Sequence, residues 1–431
     1  MSGKGTLGLK EVVAMGIGGM VSGGIYAVLG VAMRQAGNAV PFSFLLAGIL
    51  TLLTAYSYLK LTLHFKENGG AFSFIEHTVE NRHIAGFFGW VLIVGYIGVM
   101  ALYAFAFGSY LVSLFGYSPD SLARQLISAG IIAAFIGLNL KGIRESGLFQ
   151  DIAVYLKIAF LLSIAGLGIY FAQNTAEVMG NFFNKGVTSS IAAFAIIFVA
   201  YEGFQLLIYD FHVIRDVKKT LPRSMYIVII LAICIYISVS FMATLHLSPS
   251  EVVAREEFAL AAAVTPFIGS VGFTLVVISA MQSTASGINA TLFGSARLAH
   301  TIATEKELPR VFSFRDKRGI PTRSLLIMGA LTAAFAFFGT LEEITTFGSI
   351  IFLIADGAAN YANLRLYRDT GSHPLIPAAG LSGCVIATII VLYHLLITQM
   401  HILVSIATIL VVMVILEFFF IERGPIKEAI T

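Results

Sequence analysis

Apolar stretches of bilayer-spanning length recur along the chain at 11–34, 41–64, 84–115, 122–140, 149–172 and 188–213. Six more follow at 221–247, 267–300, 322–339, 341–366, 374–398 and 401–422. Each is bounded by charged or turn residues and reaches about 18 residues or more. The pattern predicts an all-α integral membrane protein with twelve transmembrane helices. The segment EEFALAAAV (256–264) is too short to span and reads as an outside loop helix.

Composition agrees with the pattern. Of 431 residues, 58% are hydrophobic and only 12% charged, about half the charged share of a soluble domain. A chain so poor in charge cannot cover a water-facing surface. That excludes a soluble enzyme, a nucleic-acid-binding protein and a disordered chain. The net charge of +3 is too small to point to a polyanionic partner. Cys234 and Cys384 lie in apolar runs and read as lipid- or core-facing fillers. The opening MSGKGTLGLKEVVAM lacks a small-residue cleavage site, so the first span is expected to stay in the mature protein. With the N-terminus inside, 22 of the 27 lysines and arginines fall in inside tails and loops. Arg34, Arg124, Lys185 and Arg255 fall outside, and Lys157 lies within a span. This asymmetry predicts a multi-pass protein of the plasma membrane with both termini cytoplasmic.

Two spans are unusual. The first carries GIGGMVSGGIY (16–26), five glycines and a serine in eleven residues, and the sixth carries FVAYEGFQ (198–205). Small residues can serve close helix packing, or they can let a helix stop where it lines a protein-enclosed cavity. Depth favours the second reading. By helical rise, Ser22 lies roughly 18 Å from the inside end of its span and Tyr201 roughly 20 Å from the outside end of its own. Both positions are near the middle of a ~30 Å core. The breaks are five spans apart, so their helices run in opposite directions. That spacing predicts an inverted repeat, with residues 1–172 (spans 1–5) against 188–368 (spans 6–10) and 374–431 appended.

A broken helix frees N–H groups where it resumes and C=O groups where it stops. Ser22, Gly23 and Gly24 are expected to present N–H groups and a positive dipole end to an anion. Carbonyls near Gly16 to Gly19 and near Val199 to Tyr201 are expected to face a cation. The arrangement suits a zwitterion the size of an α-amino acid. Val21, Ser22, Gly23, Gly24, Val199, Tyr201, Glu202 and Gly203 form the candidate substrate-binding set.

These residues resemble a known family. VSGGIY (21–26) is similar to the "IGSGIF" stretch of the amino acid–polyamine–organocation superfamily, and FVAYEGFQ resembles its sixth-span "FxAYxGF" element. DVKKTLPRSM (216–225) resembles its "NPKKTIPRA" element, and 279–309 resembles its long eighth span. The resemblance implies a 5+5 inverted-repeat (LeuT-like) fold with helices 1 and 6 broken. It also implies uptake or exchange of amino acids by alternating access. Ser22 replaces the first glycine of the usual pattern, and its hydroxyl is a candidate contact for the substrate carboxylate.

Lys157 stands in mid-span with no acidic residue within five positions, a costly placement unless it has a role or a partner. In sodium-coupled relatives of this fold, spans 1 and 8 build a cation site beside span 5. Here Gly18, Gly19, Ser283 and Thr284 are the matching candidates. Proton-coupled prokaryotic members carry a lysine at this place. An ammonium there bonds carbonyls when protonated and releases them when neutral; the alternative is a permanently charged strut. Glu202 has four open roles: meeting a cationic side chain of the substrate, moving protons, capping the helix that resumes at Phe204, or bonding a neighbouring helix. Some exchangers of the family have an acid where this chain has Gln205.

Asp210 and His212 are expected to form an inner gate with Arg215. Asp356, Asn360 and Asn363 give span 10 one polar face, lining the pathway or bonding a neighbouring helix. His394 and Glu417, in the appended spans, read as structural or oligomer-facing. Tyr26, Phe198 and Phe204 are gate candidates. No metal-ligand cluster, nucleophile–base pair or phosphate loop is found, so no enzyme activity, metal or cofactor is expected. GIGGMVSGG lies in a span with no strand before it, unlike a dinucleotide fingerprint. The expected partners are an amino-acid substrate, a proton and the lipid bilayer, with no nucleic acid and no obligatory protein partner. The reading is a proton-coupled amino-acid symporter. Its alternatives are a cationic amino-acid or polyamine carrier with Glu202 in the site, and a membrane amino-acid sensor that moves nothing.

Overall fold

The computed structural model describes residues 6–67, 70–79, 82–141, 147–209, 211–304 and 307–420. Among these the only strand-like pairing is one parallel bridge between Leu7 and Ile214. Helices lie over every apolar stretch. The first is split into α1 (Leu9–Met20) and α2 (Gly24–Ala36), and α3 (Val40–Phe65) covers the second. After a short α4 (Gly70–Thr78) come α5 (Arg82–Ser113), α6 (Leu122–Leu140) and α7 (Gly147–Phe171). A short α8 (Thr175–Gly180) precedes the sixth stretch, made of α9 (Val187–Ile196), a tight helical turn at Phe198–Tyr201, and α10 (Leu206–Tyr209). Then follow α11 (Val217–His246), a short α12 (Pro249–Ala254), α13 (Ala259–Thr304), α14 (Thr322–Phe338), α15 (Leu341–Arg365), α16 (Leu375–Thr398) and α17 (Met400–Phe420).

Eight helical stretches among the described residues are long and apolar enough to cross a membrane, or nine with the bent pair Val187–Ile196 and Phe198–Tyr209 taken together. Three features separate this number from the twelve expected. α2 and α3 run into one apolar stretch, Gly24–Phe65, and α14 has 17 residues. α15 is diluted by buried polar residues, Thr345, Thr346, Ser349, Asp356, Asn360 and Asn363. Those groups face other helices, where a polar side chain in a membrane protein finds partners.

The core is built round α5, which packs against α4, α6, α13, α14 and α15. α1 rests on α11 and α7, α2 on α9, and α16 on α15 and α3. Outward-facing residues such as Leu126, Leu156, Ile389 and Val404 are exposed and apolar, as a bilayer-facing surface requires. The expected loop helix is present but not as a free surface element. Ala259–Val264 is buried, packed on α2 and α5, and Gly269 (φ +75°) breaks α13 just beyond it. Glu417 of α17 also turns inward: it is buried, with Oε1 3.5 Å from Nδ1 of His83 on α5, which fits the structural reading and not an oligomer-facing one.

Arg124, expected in an outside loop, is a buried clamp. Its guanidinium donates to Ala336 O in the last turn of α14 (2.7 Å) and to Pro119 O (2.9 Å), and it lies 4.1 Å from the Phe105 ring. A cation at a helix C-terminus and over an aromatic face is doubly favoured. Arg124→Gln is expected to destabilise the protein by about 1–3 kcal/mol, read as an earlier thermal unfolding transition in detergent. An unchanged transition would show that the clamp contributes nothing.

Candidate functional site

The two helix breaks meet backbone to backbone. α1 stops at Met20, Val21 closes the turn by donating to Ile17 O (2.8 Å), and α2 starts at Gly24. A Cβ on Gly24 would lie 2.5 Å from Ala200 O, and one on Gly203 would lie 2.8 Å from the Gly19 carbonyl. Gly203 also holds φ at +115°, a conformation that L side chains rarely adopt. Glycine at these two places is therefore a condition for the breaks to touch. Val21 to Tyr26 and Phe198 to Gln205 are all buried.

Two hydroxyls stitch the junction. Tyr236 Oη of α11 lies 2.9 Å from both Met20 O and Ala200 O, one carbonyl from each break. Ser349 of α15 donates to Ile196 O (2.5 Å) and accepts from the Val199 N–H (3.0 Å). Tyr201 donates to Phe44 O (2.8 Å), tying the second break to α3. Sequence reasoning named neither Tyr236 nor Ser349. A signal existed for Tyr236: tyrosine favours the membrane interface, and this one sits in the middle of its span.

Ser22 Oγ donates to Gly19 O (2.7 Å), so its hydroxyl proton is engaged by the end of its own first half-helix. The N–H groups of Gly23, Gly24 and Ile25 meet no acceptor among the described residues. They point along the start of α2, as a helix N-terminus does. The capping role considered for Glu202 falls to Gln205. Its Oε1 accepts the Gly203 N–H (3.0 Å), and its Nε2 donates to Glu202 Oε2 (2.5 Å).

Lys157 is 4% exposed and makes no hydrogen bond or ion pair among the described residues. One turn before it, Val154 packs on Gly18: a Cβ on Gly18 would lie 3.3 Å from Val154 Cγ2. The Gly18 carbonyl accepts no hydrogen bond among the described residues, and Ser283 Oγ is buried without one. Thr284 instead donates to Ala280 O of its own helix (2.7 Å).

The polar face of α15 bonds α3. Ser57 donates to Asn360 Oδ1 (2.7 Å), Asn360 to Thr54 Oγ1 (3.0 Å), and Tyr58 to Asp356 Oδ1 (3.1 Å). Tyr26 shares a hydrogen bond with Ser279 (2.7 Å), and Phe204 meets the Tyr58 ring edge-on at 5.4 Å. Phe198 is fully buried. Asp210 lies outside the described residues, and His212 and Arg215 are exposed. That corner is held by backbone bonds, from Thr6 and Leu7 to Val213 O and from Arg215 to Leu7 O. At the opposite end, Arg34 pairs with Glu256 (2.9 Å) and with Glu342.

Comparison with known proteins places this architecture. The family model described as amino acid permease matches residues 7–359. An uncharacterized protein of Methanocaldococcus jannaschii is 32% identical, over 81% of this chain and 80% of its own. The inner membrane transport protein YbaT of Escherichia coli is 29% identical over 90% of each chain. The vacuolar cationic amino acid transporter 2 of Arabidopsis thaliana is 26% identical over 81% of this chain and 58% of its own. With its spans, its paired breaks and the four motifs first noticed in the sequence, the chain belongs to the amino acid permease family, whose members are multi-pass membrane transporters and not enzymes.

Proposed function

We propose that this chain is a proton-coupled amino-acid symporter of the plasma membrane, working by alternating access about the junction of the two breaks. The carrying observation is Lys157, an ammonium-bearing side chain buried without a partner among the described residues, one turn along α7 from Val154, which packs on Gly18. Protonated, it takes the place of a coupling cation, with the Gly18 carbonyl and Ser283 hydroxyl as its partners. Neutral, it lets them go and frees α1 to move against α7. Gly19 and Thr284 complete the neighbourhood assigned to this step.

The substrate carboxylate goes to the unpaired N–H groups at the start of α2, where the helix dipole adds to hydrogen bonding. Its ammonium goes to carbonyls freed in the two breaks. Val21, Val199 and Tyr201 shape the walls, and Tyr26, Phe198 and Phe204 are the movable covers. In this reading spans 1–5 (residues 1–172) rock against spans 6–10 (residues 188–368), with 374–431 appended. Both termini are cytoplasmic, a placement supported by the bias of lysine and arginine.

A second reading, a cationic amino-acid or polyamine carrier, is favoured by one observation. Glu202, inside the second break, keeps one buried oxygen without a hydrogen bond among the described residues.

Three outcomes are expected. Uptake of radiolabelled amino acids into proteoliposomes should be stimulated by an inward proton gradient, survive removal of sodium, and lose that stimulation in Lys157→Ala. A mutant that still responds makes Lys157 a strut, and a wild type that moves no amino acid supports the sensor. Neutral amino acids should compete for uptake while arginine and putrescine do not; the reverse pattern transfers the assignment to the cationic carrier. Tyr236→Phe, which removes the hydroxyl shared by the two breaks, should fold normally and lower uptake about fivefold, the equivalent of about 1 kcal/mol.

A further inference from the structure

We infer that Glu202 and Asp356 form a buried proton-binding pair, separate from Lys157, that joins the broken sixth span to α15. This needs no coupling at Lys157 and stands on the geometry of the cluster. Glu202 is 1% exposed and Asp356 fully buried. Gln205 donates to Glu202 Oε2 (2.5 Å) and lies beside Asp356, and Tyr58 donates to Asp356 Oδ1 (3.1 Å). Glu202 Oε1 and Asp356 Oδ2 then remain, each buried and without a hydrogen-bond partner among the described residues.

Among the described residues, every other titratable group that faces the pair is a weak acid. Tyr58 approaches from α3, Tyr96 and Tyr103 from α5, Tyr209 from α10 and Cys384 from α16. Tyr96 and Tyr209 are hydrogen-bonded to each other (2.7 Å). Among the described residues no lysine, arginine or histidine forms an ion pair with either carboxyl or faces it.

Two buried carboxylates that share Gln205 as a neighbour in a water-poor interior, with no cation among the described residues to offset them, cannot both stay ionised. The pair must carry at least one proton, and the proton belongs to the pair more than to either residue. Its position makes that proton conditional on conformation. α15 grips the second break at two levels on one face, through Ser349 and, two turns further on, through Asp356. A movement of the Phe198–Tyr209 segment away from α15 admits water to the free oxygens. The proton then passes to that water as hydronium, and two like charges are left that oppose closure. Refilling the pair with a proton from the side that is open allows the span to close.

The test is infrared spectroscopy on the purified full-length protein in lipid at neutral pH. The wild type should show a protonated-carboxyl C=O band that shifts in D₂O. Asp356→Asn and Glu202→Gln should each remove or displace it, while Lys157→Ala keeps it. The milder Tyr58→Phe deletes a hydrogen bond to the pair without deleting an acid and should shift the same band. A wild type without such a band overturns the assignment. So does a band unmoved by both amide variants or, where those do not fold, unmoved by Tyr58→Phe. Because the readout requires no transport, its failure is distinct from failure of the symport reading.

Discussion

Inside a membrane-spanning bundle the backbone has no water to fall back on, and each interrupted helix must find partners for the groups it frees. The whole arrangement depends on how two such interruptions satisfy each other. Tyr236 lies against a carbonyl of each break, Ser349 takes the carbonyl that ends α9, and Gln205 takes the N–H of Gly203. The N–H groups that open α2 and the Gly18 carbonyl near the end of α1 are left over among the described residues. Interruption thus confines the unpaired backbone to one small region at the centre of the molecule.

The same constraint explains α15. Its buried amides, hydroxyls and acid would be expensive against lipid, and they make this helix less apolar than its neighbours. Packed between α3, α5 and the second break, they are bonded nearly in full. On α15 the exceptions are the Thr346 hydroxyl and one oxygen of Asp356; one oxygen of Glu202, in the second break, is left over as well. Lys157 and Ser283 are exceptions of the same kind elsewhere in the bundle.

Much of this was legible in the chain. The apolar runs are long and sharply bounded, so helix limits agree with them within a few residues. At α6 the run and the helix coincide at 122–140. Gly16, Gly18, Gly19, Gly23 and Gly24 announced the first break, and Gly203 beside Glu202 the second, because glycine and charge are conspicuous in apolar surroundings. Lys157 stood out for the same reason. The burial of Ala259–Val264 was hidden, since a short apolar helix reads alike whether it lies on a surface or is drawn under α2 and α5. Arg124 was hidden too: as a loop cation it resembles any other, and only its fold neighbours, Ala336 and Phe105, make it a clamp.

What the sequence by itself determined, then, is the set of elements and their discontinuities, because hydropathy and glycine content act locally and leave a signature at fixed positions. What only the tertiary structure decided is pairing: that Gly24 meets Ala200, that one tyrosine serves two breaks, and that Gln205 neighbours both Glu202 and Asp356. These partners are up to about 200 residues apart in the chain. A hydrogen bond is made over about 3 Å in space and leaves no periodic trace in sequence, so it becomes visible only once the helices are packed.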